Sequence, residues 1–95
     1  MIYLITYNIN TLARDYAPFY EAIKGGCDSY FHAQESSWFV ACRRKQNVSR
    51  MAAFLKTYLY SGDTIFVAEL RPDNEVQGWL TMEFWDWYKQ NINYD

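Results

Sequence analysis

Ser29-Tyr30-Phe31-His32-Ala33-Gln34-Glu35-Ser36-Ser37-Trp38-Phe39-Val40-Ala41-Cys42-Arg43 sets two apolar runs on either side of a short polar break. Ser29 to Ala33 reads as a short strand and Ser37 to Arg43 as a longer one, with a turn at Gln34-Glu35-Ser36. No helix fits between them, so the two pair as an antiparallel hairpin. Side chains alternate across a strand, which sends Trp38, Val40 and Cys42 to one face and Phe39 and Ala41 to the other. Neither set is polar, so both faces of the resulting sheet call for a cover.

The flanks turn this hairpin into a fold. Upstream, Ile2 to Tyr7 is a strand, with Ile2, Leu4 and Thr6 on one face and Tyr3, Ile5 and Tyr7 on the other. A helix follows, with Asp15 as N-cap, Pro18 in the first turn and Tyr16, Phe19, Tyr20 and Ile23 as its apolar stripe. Gly25-Gly26 stops it, on the expectation of a left-handed glycine cap. Downstream, Asn47 caps a second helix striped by Val48, Met51, Leu55 and Tyr58 or Leu59. Gly62-Asp63 then turns the chain into a strand from Thr64 to Leu70. Ile65 and Val67 share one of its faces, and Phe66, Ala68 and Leu70 the other.

Strand, helix, strand, strand, helix, strand is the split βαβ order. It predicts a ferredoxin-like α+β sandwich, a four-stranded antiparallel sheet with both helices on one face. With 95 residues there is one domain, 1–95, comprising a core over 1–71 and a tail over 72–95. In the tail, Thr81 is the expected N-cap of a helix to Asn91, with Glu83 in its first turn. Leu80, Phe84, Trp87 and Tyr88 form one stripe, which Trp79 and Trp85 do not join. Aromatics on several sides fit a helix that packs on two surfaces, closing the sheet edge or joining a dimer or protein partner.

Aromatic residues make up 20% of the chain, which explains why two sheet faces can both be apolar. Tyr3, Ile5, Tyr7 and Phe39 are the expected homodimer interface. The competing use of such a face, with Tyr30, is the stacking of nucleic-acid bases. No apolar run approaches the ~20 residues of a membrane span, and no secretory segment is visible. Cytoplasmic placement and two free thiols, Cys27 and Cys42, are therefore expected. These thiols and His32 match no zinc spacing.

A net charge of -2 argues against a wholesale polyanion binder, but the charges are unevenly placed. Arg43, Arg44, Lys45 and Arg50 fall within eight residues, while residues 63–95 hold seven of the eleven acids and two of the nine bases. Such a cluster reads either as a phosphate-binding face or as a solvated loop balanced by the acidic tail.

Several short stretches together resemble the CRISPR-associated Cas-two group and its SinR-like relatives. They are Tyr7-Asn8 closing the first strand, Tyr20 to Gly25, Gln34 to Phe39, Asp63 to Val67 and Gly78-Trp79-Leu80. The resemblance implies a ferredoxin-like homodimer that acts on or holds RNA or DNA. Some such proteins are metal-dependent phosphodiesterases; others are DNA-binding structural subunits. Their metal position is an aspartate at the end of the first strand, where this chain has Asn8. An amide brings no charge to a Mg²⁺ or Mn²⁺ ion, so the nuclease expectation rests on Asn8 alone, with no acid close by in sequence. The leading expectation is a nucleic-acid-associated scaffold with weak or no catalysis, held through Arg43, Arg44, Lys45 and Arg50. The alternatives are a metal-dependent endonuclease and a protein-interaction module such as a toxin–antitoxin partner.

Overall fold

The computed structural model describes residues 1–10 and 14–92. Residues 93–95, which include the tail acid Asp95, lie outside that set. The elements are β1 (Ile2–Asn8), α1 (Ala17–Gly25), β2 (Ser29–Gln34), β3 (Ser37–Ala41), α2 (Val48–Lys56), β4 (Thr64–Leu70) and α3 (Met82–Asn91). The strands form one antiparallel sheet in the order β2-β3-β1-β4. This α+β architecture, with three helices, is compatible with the expected ferredoxin-like arrangement.

Two apolar cores lie on opposite faces of the sheet. On the first, Tyr3, Ile5 and Tyr7 of β1 and Trp38, Val40 and Cys42 pack against Phe19 and Ile23 of α1 and Leu55 of α2. On the second, Ile2 and Ala41 pack with Phe84 and Tyr88 of α3 and Ile92 beyond it, with Phe31, Phe39 and Leu70 alongside. Phe84 is the hub of that layer, 4.7 Å from the Phe39 ring and 5.6 Å from Phe31. The Trp87 indole Nε1 donates to Ser29 Oγ at 2.7 Å and ties α3 to β2.

This placement corrects the interface expectation. Tyr3, Ile5 and Tyr7 are 0%, 1% and 6% exposed beneath α1 and α2, so no second copy reaches them. Phe39 does not share their face. Its register partner is Leu4, which puts it on the second face under α3. The tail helix accordingly lies on the sheet and not along its edge.

Local details also differ. Asp15 accepts a hydrogen bond from the Ala17 N–H at 2.9 Å, but the N-cap position belongs to Tyr16, which gives no side-chain cap. Gly26 closes α1 at φ −93°, so its end uses ordinary backbone; the left-handed glycine is Gly62, at φ +92°, in the turn before β4. Strand β3 stops at Ala41, two residues short of expectation, although Cys42 N–H still bonds Met1 O at 2.8 Å. Asn47 and Thr81 cap α2 and α3 as expected, accepting from the Arg50 and Phe84 N–H groups.

The first core contains a polar chain through Tyr7. Trp38 Nε1 donates to the Tyr7 hydroxyl at 3.0 Å, and that hydroxyl donates to Glu35 O at 3.2 Å. Burial pushes the Tyr7 phenol up to about 12, against a smaller lowering by the Trp38 bond. Tyr7→Phe leaves the buried indole N–H without a partner and is expected to cost about 1–3 kcal/mol in urea unfolding. The phenol also sets a pH dependence. Between its ordinary value near 10 and its folded value near 12, the folded state holds the proton more tightly than the unfolded chain. Stability from this group is full below pH 10 and declines by about 2 kcal/mol as pH rises to 12. Cys27, whose thiol burial likewise lifts to about 12, adds a decline beginning near pH 9. Tyr7→Phe should remove its own share of the alkaline decline and leave that of Cys27.

Candidate functional site

The basic cluster spans the connection from β3 to α2, with Arg43, Arg44 and Lys45, and the first turn of α2, with Arg50; the connection is fixed at three points. The Arg43 N–H donates to Asp28 Oδ2 at 2.7 Å. The Gln46 N–H donates to the buried Tyr3 hydroxyl at 2.7 Å, anchoring the loop to the sheet. The Asn47 side chain accepts from the Arg50 N–H at 3.0 Å and starts α2. Between these anchors Gln46 Nε2 also bonds Arg44 O at 3.1 Å.

Arg43, Arg44, Lys45 and Arg50 are all exposed on this pinned corner. Lys45 and Arg50 line a cleft of about 450 Å³, while Arg43 and Arg44 line an adjoining hollow of about 500 Å³. The two depressions meet at Gly26 and Gln46. Among the described residues, the ion pairs Lys24–Glu21 and Arg71–Glu69 leave Arg44, Lys45 and Arg50 unengaged. The structure thus brings all four expected cations together. Among the described residues Asp28 is an acid beside them, and it accepts from the backbone N–H of Arg43.

Asn8 sits at the other end of the sheet. Arg43 follows the β3 end that pairs with Ile2, and Asn8 is six residues further along β1, about 20 Å away. Its amide is exposed and donates to Asn10 Oδ1 at 3.4 Å. An acid does lie close by, contrary to the sequence reading. Asp63 precedes Thr64, the register partner of Asn8, and its Oδ1 accepts from the Asn10 N–H at 2.9 Å. Its Oδ2 accepts from the Tyr16 hydroxyl at 2.6 Å and the Tyr60 N–H at 2.9 Å. Desolvation opposes ionisation there, but these three bonds hold the carboxyl below its ordinary value. Both oxygens are committed to tying β1, α1 and the Gly62 turn together. A hard divalent cation is normally held by several charged oxygens, and here the Asn8 amide brings no charge and Asp63 a single carboxylate that already accepts three hydrogen bonds.

The remaining candidates have structural surroundings. His32 stacks on Trp38 at 4.0 Å, with Nε2 3.1 Å from Glu35 O. Cys27 and Cys42 are free thiols directed at backbone carbonyls, Cys27 at Ile23 O and Lys24 O and Cys42 at Gly26 O. Among the described residues, no three His, Cys, Asp or Glu side chains gather as a metal-binding group. No helix among them is long and apolar enough to cross a membrane.

Sequence reasoning missed the cleft between α1 and α2. The small residues Ala22 and Gly26 on its α1 side are the signal that marks it. Comparison of the chain with protein-family models, with curated proteins and with solved structures gave no match.

Proposed function

We propose that this chain is a small nucleic-acid-associated scaffold of the Cas-two-like kind, built on a ferredoxin-like fold, that grips the phosphate backbone of RNA or DNA. The observation that carries this reading is the pinned corner bearing Arg43, Arg44, Lys45 and Arg50. A polyanion is attracted by cations that are already held together, because little ordering entropy is then lost on binding. The first turn of α2 adds the positive end of its dipole to the same place.

Strand cleavage is not part of this reading. Asn8 lies at the opposite end of β1, about 20 Å along the strand from Ile2, whose partner Ala41 leads into the basic loop, and the nearby Asp63 carboxylate already accepts three hydrogen bonds. A homodimer, in this proposal, uses the free edge of β4, where Phe66 is 62% exposed on the second face. The test is incubation with labelled single- and double-stranded RNA and DNA at low salt, with and without Mn²⁺, reading binding and cleavage on one gel. Binding without cleavage is expected. Mn²⁺-dependent cleavage abolished by Asn8→Ala overturns the scaffold reading in favour of the nuclease, and neither binding nor cleavage favours a protein-interaction module.

A further inference from the structure

The cleft of about 450 Å³ between α1 and α2 has features that phosphate-backbone binding does not use. Beneath it lie the buried side chains of Ile5, Val40, Ile23 and Leu55, and the apolar surface it leaves open is that of Ala22, Met51 and Phe54. Phe54 stands at its lip with 52% of its surface exposed. Lys45 and Arg50 stand at its rim, and among the described residues no carboxylate lines it. Its volume lies within the ~300–1,000 Å³ range of small-molecule sites.

A sugar–phosphate backbone has no reason to enter an aliphatic slot, and a purely apolar ligand has no reason to sit beside two cations. The chemistry that satisfies both parts is an anionic head joined to an apolar chain. We infer that the α1–α2 cleft binds an amphipathic organic anion. Its head pairs with Lys45 and Arg50, and its acyl chain lies along Ala22, Met51 and Phe54. The guanidinium fork of Arg50 suits the two oxygens of such a head, and burial of the chain covers the exposed face of Phe54. The site stands on the shape and charge of the cleft, independently of any nucleic acid.

The experiment is an NMR titration of the ¹⁵N-labelled chain with octanoate and, separately, with octanamide, which has the same chain without the charge. Octanoate is expected to shift the Gly26, Met51 and Phe54 amides saturably, with octanamide binding at least tenfold more weakly. Lys45→Gln combined with Arg50→Gln alters only exposed side chains and should weaken octanoate at least tenfold while leaving octanamide unchanged. Ala22→Phe, which fills the cleft, should abolish both; should that variant fail to fold, the charge variant decides alone. Equal affinity for the two ligands, saturable shifts located away from the cleft, or no saturable shift each overturn the inference.

Discussion

Phe84→Ala is expected to lower the stability of the protein by about 3–5 kcal/mol. Phe84 is 2% exposed and joins the α3 layer to the sheet, touching Phe31 and Phe39 on one side and Trp85, Trp87 and Tyr88 on the other. Removing the ring takes away its transfer free energy and leaves a cavity that the flat strand beneath cannot fill by moving. A domain of this size is stable by about 5–15 kcal/mol in all, so the loss is a large share. Trp79→Ala is the matching control. Trp79 is fully exposed, and its removal should change stability by no more than about 0.5 kcal/mol. Urea midpoints of the two variants measure the contrast, and a Phe84→Ala cost below about 1 kcal/mol means that α3 does not cover the second face in solution.

The second large effect concerns the basic corner. Arg43→Gln combined with Arg44→Gln is expected to weaken binding to a duplex by roughly tenfold to a hundredfold at low salt. Both side chains are exposed, and the loop anchors are the Arg43 backbone N–H, Gln46 and Asn47, which the substitutions leave in place. The fold should therefore persist. Each lost cation also removes one released counterion, so the salt dependence should become shallower by about 0.9 per residue on logarithmic axes. A variant that unfolds loses affinity too, but does not give that graded change of slope.

The strands were legible because a period of two is a strong signal. The alternation in β1 separated Tyr3, Ile5 and Tyr7 from Ile2, and the structure keeps that division. What alternation does not tell is which layer covers which face. Both faces of this sheet are apolar, so the helix-covered residues of β1 looked as available to a second copy as any others. Phe39 was joined to the wrong face because that assignment depends on register, and the pairing of Phe39 with Leu4 is set by the whole hairpin. The end of α1 was found from its glycines, yet Gly26 takes a conformation open to any residue. The basic corner was readable because its four cations fall within eight residues, three in one loop and Arg50 in the helix turn that follows it. Asp63 was not, since only the pairing of β1 with β4 brings it to Asn8 across 55 positions. The cleft arises from the packing of two helices, and the small residues Ala22 and Gly26 mark only its α1 side.

In the proposed scaffold a polyanion is held by the corner of Arg43, Arg44, Lys45 and Arg50. The most direct test is the affinity for a fluorescent duplex measured by anisotropy between about 50 and 200 mM salt. Four phosphate contacts predict a logarithmic slope of about −3.6, a loss of about a hundredfold over that range. The variant with all four residues changed to Gln should lose the measurable binding. An affinity that ignores salt, or a slope unchanged in the four-residue variant, contradicts the account and places any nucleic-acid contact elsewhere on the molecule.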